Sequence, residues 1–254
     1  DIIIKPGTVH ESVHIPVILS ESGLNDVVYN DFYIGENSDV VIVAGCGIHN
    51  CGNQDSEHDG IHRFHVGKNA KVKYVEKHYG EGDGNGKRIL NPVTEVHMDE
   101  GSYMEMEMVQ IKGVDSTDRK TEMDLAAGAK VVIKERLLTH GSQTAVSEIS
   151  AHLNGEGSSA NIISRSVAKD SSYQKFVSRL FGNVACSGHS ECDSIIMGDA
   201  KIQAVPEIVA ECTDAALIHE AAIGKIAGEQ IIKLMTLGLT EEEAEAQIVN
   251  GFLK

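Results

Sequence analysis

Apolar and polar residues alternate with a period of two along most of this chain, in short runs that each open on a small residue. The runs are SDVVIVAG, AKVKYVEK, SYMEMEMVQI, AKVVIKERLL and SANIISRSV, which begin at Ser38, Ala70, Ser102, Ala129 and Ser159. Successive side chains of a β-strand point to opposite faces, so this alternation predicts strands with one buried face. The buried face is predicted to include Val72, Tyr74, Met104, Met106 and Met108, and the exposed face Lys71, Lys73, Glu105 and Glu107.

The runs also recur at a nearly constant spacing. Their first residues, at 38, 70, 102, 129 and 159, are separated by 32, 32, 27 and 30 residues. The 70-to-102 interval contains a glycine-rich stretch, residues 80–86, and subtracting these seven residues from 32 leaves 25. One β unit repeated every 20–50 residues indicates stacked turns of a solenoid. We predict a mainly β protein wound as a parallel β-helix; a β-sandwich is the alternative, because short strands with glycine turns suit both.

The last thirty residues change to a helical period. A first helix is predicted within residues 227–237, and Gly238 is a natural stop. Thr240 followed by Glu243 has the spacing of a capping box, which predicts a second helix. The apolar stripe predicted for that helix is Ala244, Ile248, Phe252 and Leu253. Two short helices cannot bury themselves, so they must pack on the β domain or on a partner.

Composition excludes several classes of function. A net charge of −16 repels phosphate backbones, which argues against nucleic-acid binding. No apolar run approaches the ~20 residues that cross a bilayer, so we expect no membrane partner. Five cysteines are an odd number without the spacing of a disulfide framework, which favours a reducing cytoplasm.

Three parts of the chain resemble a known family. The C-terminal part contains HEAAIGKIAGEQ (residues 219–230) and LGLTEEEAEAQIVNGF (237–252). The other two are SRSVAKDSSYQKF (164–176) and GHSECDSIIMGDA (188–200). They resemble the SufB/SufD family, scaffold subunits of the SUF iron–sulfur cluster assembly system, and the chain looks like a short, archaeal-type member. The resemblance implies a right-handed parallel β-helix, here residues 1–222, with a C-terminal helical docking segment, residues 223–254. It also implies a transient iron–sulfur cluster, a SufC-type ATPase partner, and a homodimer or a heterodimer with a paralogue.

The resemblance further implies where the cluster would form. His219 lies in the HEAAIG motif, whose histidine is at the subunit interface in SufD-type scaffolds, and Glu220 follows it. Glu229 in AGEQ matches a glutamate that acts at that interface in SufB. In SUF scaffolds the C-terminal helical region docks the ATPase, and the residues predicted to do so here are Leu234, Met235 and Leu237.

One position departs from the family pattern. SufB has a cysteine six residues before the proline of its VPYIE-like motif, and here Ala200 occupies that position before Pro206. The thiol must come from elsewhere or the chain is SufD-like, and Cys212 and Cys192 are the nearest candidates. Thiolate is the usual ligand of iron–sulfur clusters, and histidine can replace it. The alternative is that Cys212 is a small buried hydrophobe and His219 a hydrogen-bonded core residue.

A second group of metal-ligating residue types lies near the N-terminus. Residues 46–65 contain two thiols, four imidazoles and three carboxylates, and the candidate ligands are Cys46, His49, Cys51 and His58. Such a set suits zinc or iron. The Cys-x4-Cys spacing is not the usual Cys-x2-Cys, so a solvated loop between turns is the competing interpretation. A third group, Cys186, His189 and Cys192, is better explained by inward-facing cysteines stacked along the solenoid.

Two other functions compete with the scaffold. A cupin-type metal enzyme built around His62 and His65 would need a His-x-His motif, and the sequence has His-Arg-Phe-His. A purely structural β-solenoid adaptor would use the helical tail as its docking module. The stretch GEGDGNGKR lacks a Ser or Thr after Lys87, so it is not a phosphate-binding loop. We therefore expect a non-enzymatic chain whose partner hydrolyses ATP.

Overall fold

The computed structural model describes all 254 residues, as a stack of β turns followed by two helices. The strands are β1 Ile2–Ile4, β2 Val9–Leu19, β3 Asn25–Ile34, β4 Asp39–His49, β5 Ser56–Val66, β6 Lys71–Glu81, β7 Arg88–Leu90, β8 Val93–Met98, β9 Tyr103–Lys112, β10 Ser116–Leu125, β11 Lys130–Thr139, β12 Thr144–Leu153, β13 Ser159–Ala168, β14 Tyr173–Gly182, β15 Cys186–Ile196, β16 Lys201–Ala210 and β17 Ala215–Gly224. The helices are α1 Gly228–Met235 and α2 Glu241–Phe252.

The strands form two parallel sheets that face each other across one core. The first sheet has the order β1-β3-β5-β7-β10-β12-β14-β16, with β8 beside β7 between β5 and β10. The second has the order β17-β15-β13-β11-β9-β6-β4-β2. Consecutive segments of the chain alternate between the sheets, so each turn adds one rung to both, over about eight turns. The predicted parallel β-solenoid is confirmed, and the β-sandwich alternative is wrong because all neighbouring strands run parallel.

The register of the second sheet tests the predicted repeat directly. The first four small residues are equivalent, since the residues after them pair in one ladder: Asp39 with Lys71, Lys71 with Tyr103, and Tyr103 with Lys130. Lys130 then pairs with Ser159, so the fifth equivalent position is Ser158 and the predicted Ser159 is one residue late. The last interval is therefore 29 residues, from 129 to 158.

The glycine-rich stretch is a loop stacked on a loop of the preceding turn. β6 extends to Glu81, so only residues 82–87 leave the strand, and they lie over residues 50–55, which connect β4 to β5. The Gly84 N–H donates to the Asn50 carbonyl at 3.2 Å, and the Gly86 N–H to the Gly52 carbonyl at 3.0 Å. A Cβ on Gly84 or Gly86 would collide with the backbone below, which explains the glycines. Both 32-residue intervals contain such a loop, so the predicted insertion is not confined to one turn.

Apolar side chains stack in columns along the interior. The rings of Phe32 and Phe64 lie 4.5 Å apart in adjacent turns, and Tyr74 packs against Phe64 from the facing sheet at 4.8 Å. The residues predicted to be buried, Val72, Tyr74, Met104, Met106 and Met108, are all at most 1% exposed. On the outer face, Lys73 pairs with Glu107 at 2.9 Å. The period-two prediction is therefore confirmed.

A charged network interrupts this core. The Arg119 guanidinium donates to Glu76, and its Nε lies 3.9 Å from Glu135, all three side chains being buried. Glu135 also accepts hydrogen bonds from Ser147 at 2.5 Å and Ser164 at 2.7 Å. Burial alone would raise the pKa of Glu76, but the positive charge of Arg119 outweighs it and holds that pKa far below its ordinary value. The carboxylate is thus ionised inside the core and depends on Arg119.

The two C-terminal helices leave the solenoid and return along it. Thr240 and Glu243 form the predicted capping box, and Gly238 between the helices has a φ of +99°, which favours glycine. Ala244 and Val249 of α2 are buried, although Val249 was not in the predicted stripe. α2 lies over the outer face of the second sheet, where Glu245 lines a cleft with Leu138, His140 and Met197. Neither helix is long and apolar enough to cross a membrane.

Replacing Arg119 by alanine should be strongly destabilising, because it leaves the buried Glu76 carboxylate unpaired. We expect a loss of about 3–5 kcal/mol in the free energy of unfolding, measured by urea denaturation followed by circular dichroism. The control is Arg63→Ala, which removes a half-exposed pair with Glu95 at 2.8 Å and should cost far less, because solvent screens an exposed ion pair. Equal losses of unfolding free energy in the two variants would show that the buried network contributes no more to stability than an exposed ion pair.

Candidate functional site

The C-terminal end of the solenoid is open. β16 and β17 are the last strands of their sheets, and each is paired on one side only. Interior positions that are covered in earlier turns are therefore accessible here: Leu217 and His219 are half-buried, and Pro206 and Ile223 are exposed. An unpaired strand edge presents free N–H and C=O groups to any partner. This end of the molecule thus offers both an edge and a set of interior side chains.

His219 faces the interior of the last turn. It pairs in register with Ser190, which is buried inside the preceding turn. The His219 Nδ1 atom is buried and has no hydrogen-bond partner. Burial lowers the pKa of His219, and the charge of His189 lowers it further. The imidazole is therefore neutral near pH 7 and retains a ring nitrogen that can bind a metal.

The outer face of the same strands carries the convergent group of ligands. His189, Glu191 and Glu220 each have a potential metal-ligand atom that lies within 4.8 Å of the ligand atoms of the other two. His189 Nε2 lies 2.8 Å from Glu220 Oε1, and its Nδ1 lies 3.1 Å from Asn161 Oδ1. Oxygen atoms therefore flank both ring nitrogens, an arrangement satisfied by an imidazolium or by a cation bound at Nε2.

The surroundings of Glu191 disfavour its ionised form. Burial raises its pKa, and a hydrogen bond and the charge of Asp193 raise it further, while the charge of Arg165 lowers it. A divalent cation at His189, Glu191 and Glu220 would favour the ionised carboxylate and take the place of the proton.

The predicted cluster residues occupy different surroundings. Cys212 is half-buried in the turn before β17. From Ala215 to His219 the strand rises by about 13 Å, so Cys212 and His219 of one chain cannot share an ion. Cys192 is buried on the interior face of β15, with its pKa raised by burial, and pairs in register with Ala221.

The remaining C-terminal candidates lie on α1 and after it. Glu229 is exposed in the first turn of α1, away from the strands. Leu234 is half-buried, whereas Met235 is 43% and Leu237 74% exposed. Glu229 therefore joins no ligand cluster within one chain. Met235 and Leu237 are free to contact a partner.

The N-terminal candidates divide between two faces. Cys46 and His58 are buried in the interior, on β4 and β5. His49 faces outward and its Nε2 lies 3.1 Å from the Sγ of Cys51, which is exposed in the following loop. The four residues consequently do not converge on one ion. His62 is buried and His65 lies on the opposite face of β5, so these two cannot form a cupin-type site together.

The sequence spacing also indicates the outer cluster, which consists of His189, Glu191 and Glu220, although no motif marks it. Glu220 follows Glu191 by 29 residues, which is one turn, and the two pair in register on β15 and β17. His189 precedes Glu191 by two residues and so shares its face. The same register separates Cys186 and Cys192, which face inward, from His189, which faces outward.

Comparison with known proteins places this geometry in a family. The family model described as "SUF system FeS cluster assembly, SufBD core domain" matches residues 32–252. An iron-sulfur cluster assembly SufBD family protein of Methanocaldococcus jannaschii is 29% identical over 256 residues, covering 99% of this chain and 79% of that protein. A protein of the same description from Methanothermobacter thermautotrophicus (strain Winter) is 30% identical and one from Pyrococcus horikoshii is 30% identical. These matches cover 93% and 92% of this chain, and 57% and 71% of those proteins.

Replacing Glu220 by glutamine should weaken ferrous-ion binding to the isolated chain. Glu220 is one of three converging ligands, so its loss should lower affinity by at least the 10–100-fold typical of outer partners. Anaerobic equilibrium dialysis with Fe²⁺ measures this. The matched control is Glu122→Gln, since Glu122 lies 3.3 Å from His152 on the other sheet but belongs to no such three-ligand group. The site assignment fails if both variants bind iron as the unaltered chain does.

Proposed function

We propose that this chain, which belongs to the SufBD family of iron–sulfur cluster assembly proteins, is a scaffold on which iron and sulfide are assembled into a transient cluster. Membership of the family gives it a role in cluster assembly. The scaffold role is supported by one observation above all, which is the open C-terminal end. There a neutral imidazole, a half-buried thiol and a three-ligand cation site lie on the last two turns of the solenoid.

The open end also suggests how a second chain would complete the site. Ile218 on β17 is 60% exposed and Ile208 on β16 is 41% exposed, so the edge is both unpaired and apolar. Two copies that met here about a two-fold axis would bury these residues and satisfy the strand edges. A self-complementary interface doubles every ligand, so Cys212 and His219 would each be supplied twice. A paralogue with the same end would pair in the same way.

The residues divide the chemistry between them. Thiolate and imidazole bind iron of a cluster more readily than isolated carboxylates, which assigns the cluster to Cys212 and His219. Because these two are too far apart within one chain, a cluster held by both would be bound between two chains. The carboxylates of Glu191 and Glu220 with His189 suit a ferrous ion that has not yet joined a cluster. Cys192 is the interior thiol nearest to His219 by register, since it lies two residues beyond Ser190. The cluster is cargo that leaves the scaffold.

The energy for assembly would come from a SufC-type ATPase partner. The chain has no phosphate-binding loop, and the exposed apolar side chains of Ile232, Met235 and Leu237 follow the strands that carry the site. We expect the ATPase to dock on α1, while α2 holds the segment against the second sheet. The five cysteines are all free, which suits a reducing compartment such as the cytoplasm.

Cys212→Ser and His219→Ala should each lower the iron and sulfide bound per chain after anaerobic reconstitution. Both variants should remain dimers by sedimentation, because neither residue supplies the apolar edge. The control is the Cys46→Ser/Cys51→Ser double variant, which keeps the C-terminal end intact and should retain most of its cluster. If only the double variant loses its cluster, the chemistry lies at the other end of the solenoid.

Met235→Glu/Leu237→Glu should abolish co-purification with a SufC-type ATPase, since it places two charges on the proposed docking surface. The solenoid should stay folded by circular dichroism because both side chains are exposed. Ile3→Glu is the matched control: Ile3 is 74% exposed, as Leu237 is, but lies in the first turn. Retained binding by the double variant, or equal loss in the control, would refute docking on α1.

A further inference from the structure

Most arginines of this chain are paired with carboxylates. The sequence has six arginines, and 38 acidic residues against 22 basic ones, so partners are plentiful. The paired arginines, each with its closest carboxylate, are Arg63 with Glu95, Arg88 with Asp115, Arg119 with Glu76, and Arg179 with Glu148. Arg136 and Arg165 are the two exceptions, since neither makes an ion pair or a side-chain hydrogen bond.

The two unpaired arginines are neighbours. Arg136 on β11 pairs in register with Arg165 on β13, and both side chains lie on the outer face of the second sheet. Adjacent strands are about 4.8 Å apart, so two positive charges in register repel each other. An anion bound between them would replace this repulsion by attraction to a shared partner.

Carboxylates on the neighbouring strands are bonded to other groups. On β9, Glu107 accepts a hydrogen bond from Lys73 at 2.9 Å. On β15, Asp193 pairs in register with Arg165 without forming an ion pair with it, and it is hydrogen-bonded to Glu191. The N–H donors of both guanidinium groups are therefore left for an acceptor from outside the chain.

Both arginines line a cleft of about 220 Å³ on the outer face of the second sheet. Lys134 and Ile163 line it from the same two strands, and Lys254 lines it from the segment after α2. Glu135 also contributes to the wall, but its carboxylate is buried in the core network with Arg119. The cleft thus presents four cationic side chains, in a protein whose net charge is −16.

The shape and size of the cleft select the class of anion. A guanidinium group is a planar fork that donates two parallel hydrogen bonds to the oxygens of a phosphate or a carboxylate, which a halide ion cannot accept in that geometry. Pockets for drug-sized ligands hold roughly 300–1,000 Å³. The smaller volume here suits a compact anion. Two adjacent guanidinium charges favour one that carries two negative charges.

We propose that Arg136 and Arg165 bind a phosphate dianion, either inorganic phosphate or the phosphoryl group of a small phosphomonoester. Lys134 is a further donor, because its ammonium group has N–H groups besides the one that it gives to Glu105 at 2.9 Å. The site is defined by side chains of β11 and β13 and does not require Lys254. It is independent of the proposed scaffold role.

Isothermal titration calorimetry of the metal-free chain with inorganic phosphate tests the site, with sodium chloride holding the ionic strength constant. The unaltered chain should bind one phosphate. Arg136→Gln and Arg165→Gln should each weaken binding at least about tenfold, since each removes charge-assisted hydrogen bonds. Arg136→Lys keeps the charge but not the fork and should also bind more weakly. The matched control is Arg179→Gln, which removes an outward-facing arginine that is paired with Glu148 and Glu207 and should bind as the unaltered chain does.

Thermal unfolding gives a second readout with an opposite sign for a merely structural role. Without phosphate, Arg165→Gln should raise the melting temperature, because it relieves the repulsion, whereas loss of a structural contact would lower it. Phosphate should raise the melting temperature of the unaltered chain and should raise that of Arg165→Gln less. Arg179→Gln controls for the general stabilisation of proteins by phosphate.

Glycerol 3-phosphate and succinate identify the source and the class of the anion. Binding of glycerol 3-phosphate as tightly as phosphate would assign the phosphoryl group of a phosphomonoester, and binding of phosphate alone would assign the inorganic ion. The proposal is overturned if the folded, unaltered chain binds no phosphate, or if the arginine variants bind it as Arg179→Gln does. Binding of succinate in place of phosphate would also overturn it.

Discussion

Parallel backbone pairing between successive turns is the constraint on which the rest of this structure depends. Each strand hydrogen-bonds to the strand one turn before and one turn after it, in register over about ten residues. Residues one turn apart are therefore neighbours on the same face. The interior becomes a set of columns, such as Phe32 on Phe64, and a polar residue in a column must find its partner in the facing sheet or an adjacent turn. The Glu76–Arg119 pair is the outcome of that requirement.

The same pairing cannot be satisfied where the stack of strands gives way to the helices. At the C-terminal end it leaves β16 and β17 with free edges, half-buried interior side chains and no further turn within the chain to cover them. In the scaffold role proposed above, pairing of this edge with a second copy would supply both the missing hydrogen bonds and a second set of ligands.

Much of the fold could be predicted because a solenoid repeats its local pattern. The period of two identified the buried faces, and the spacing of small residues located four of the five turns tested. The error at Ser159 arose because serines at 158 and 159 are chemically equivalent and only the pairing of Lys130 distinguishes them. The glycine-rich loop was misjudged for a similar reason. Its length is matched by residues 50–55, which contain only one glycine and so gave no comparable signal.

The sequence by itself determined the strand periodicity, the helix boundaries marked by Gly238 and Thr240, and, through its motifs, the SufBD family. It also named His219 and Glu220 as candidates. Only the tertiary structure decided which residues meet. His189 and Glu220 are 31 residues apart and converge because β15 and β17 are adjacent. Cys46 and His58 face the interior, whereas His49 faces outward on β4 and Cys51 lies in the loop that follows it. Local residue pattern determines which face a side chain takes, whereas contact between turns depends on the register of the whole stack.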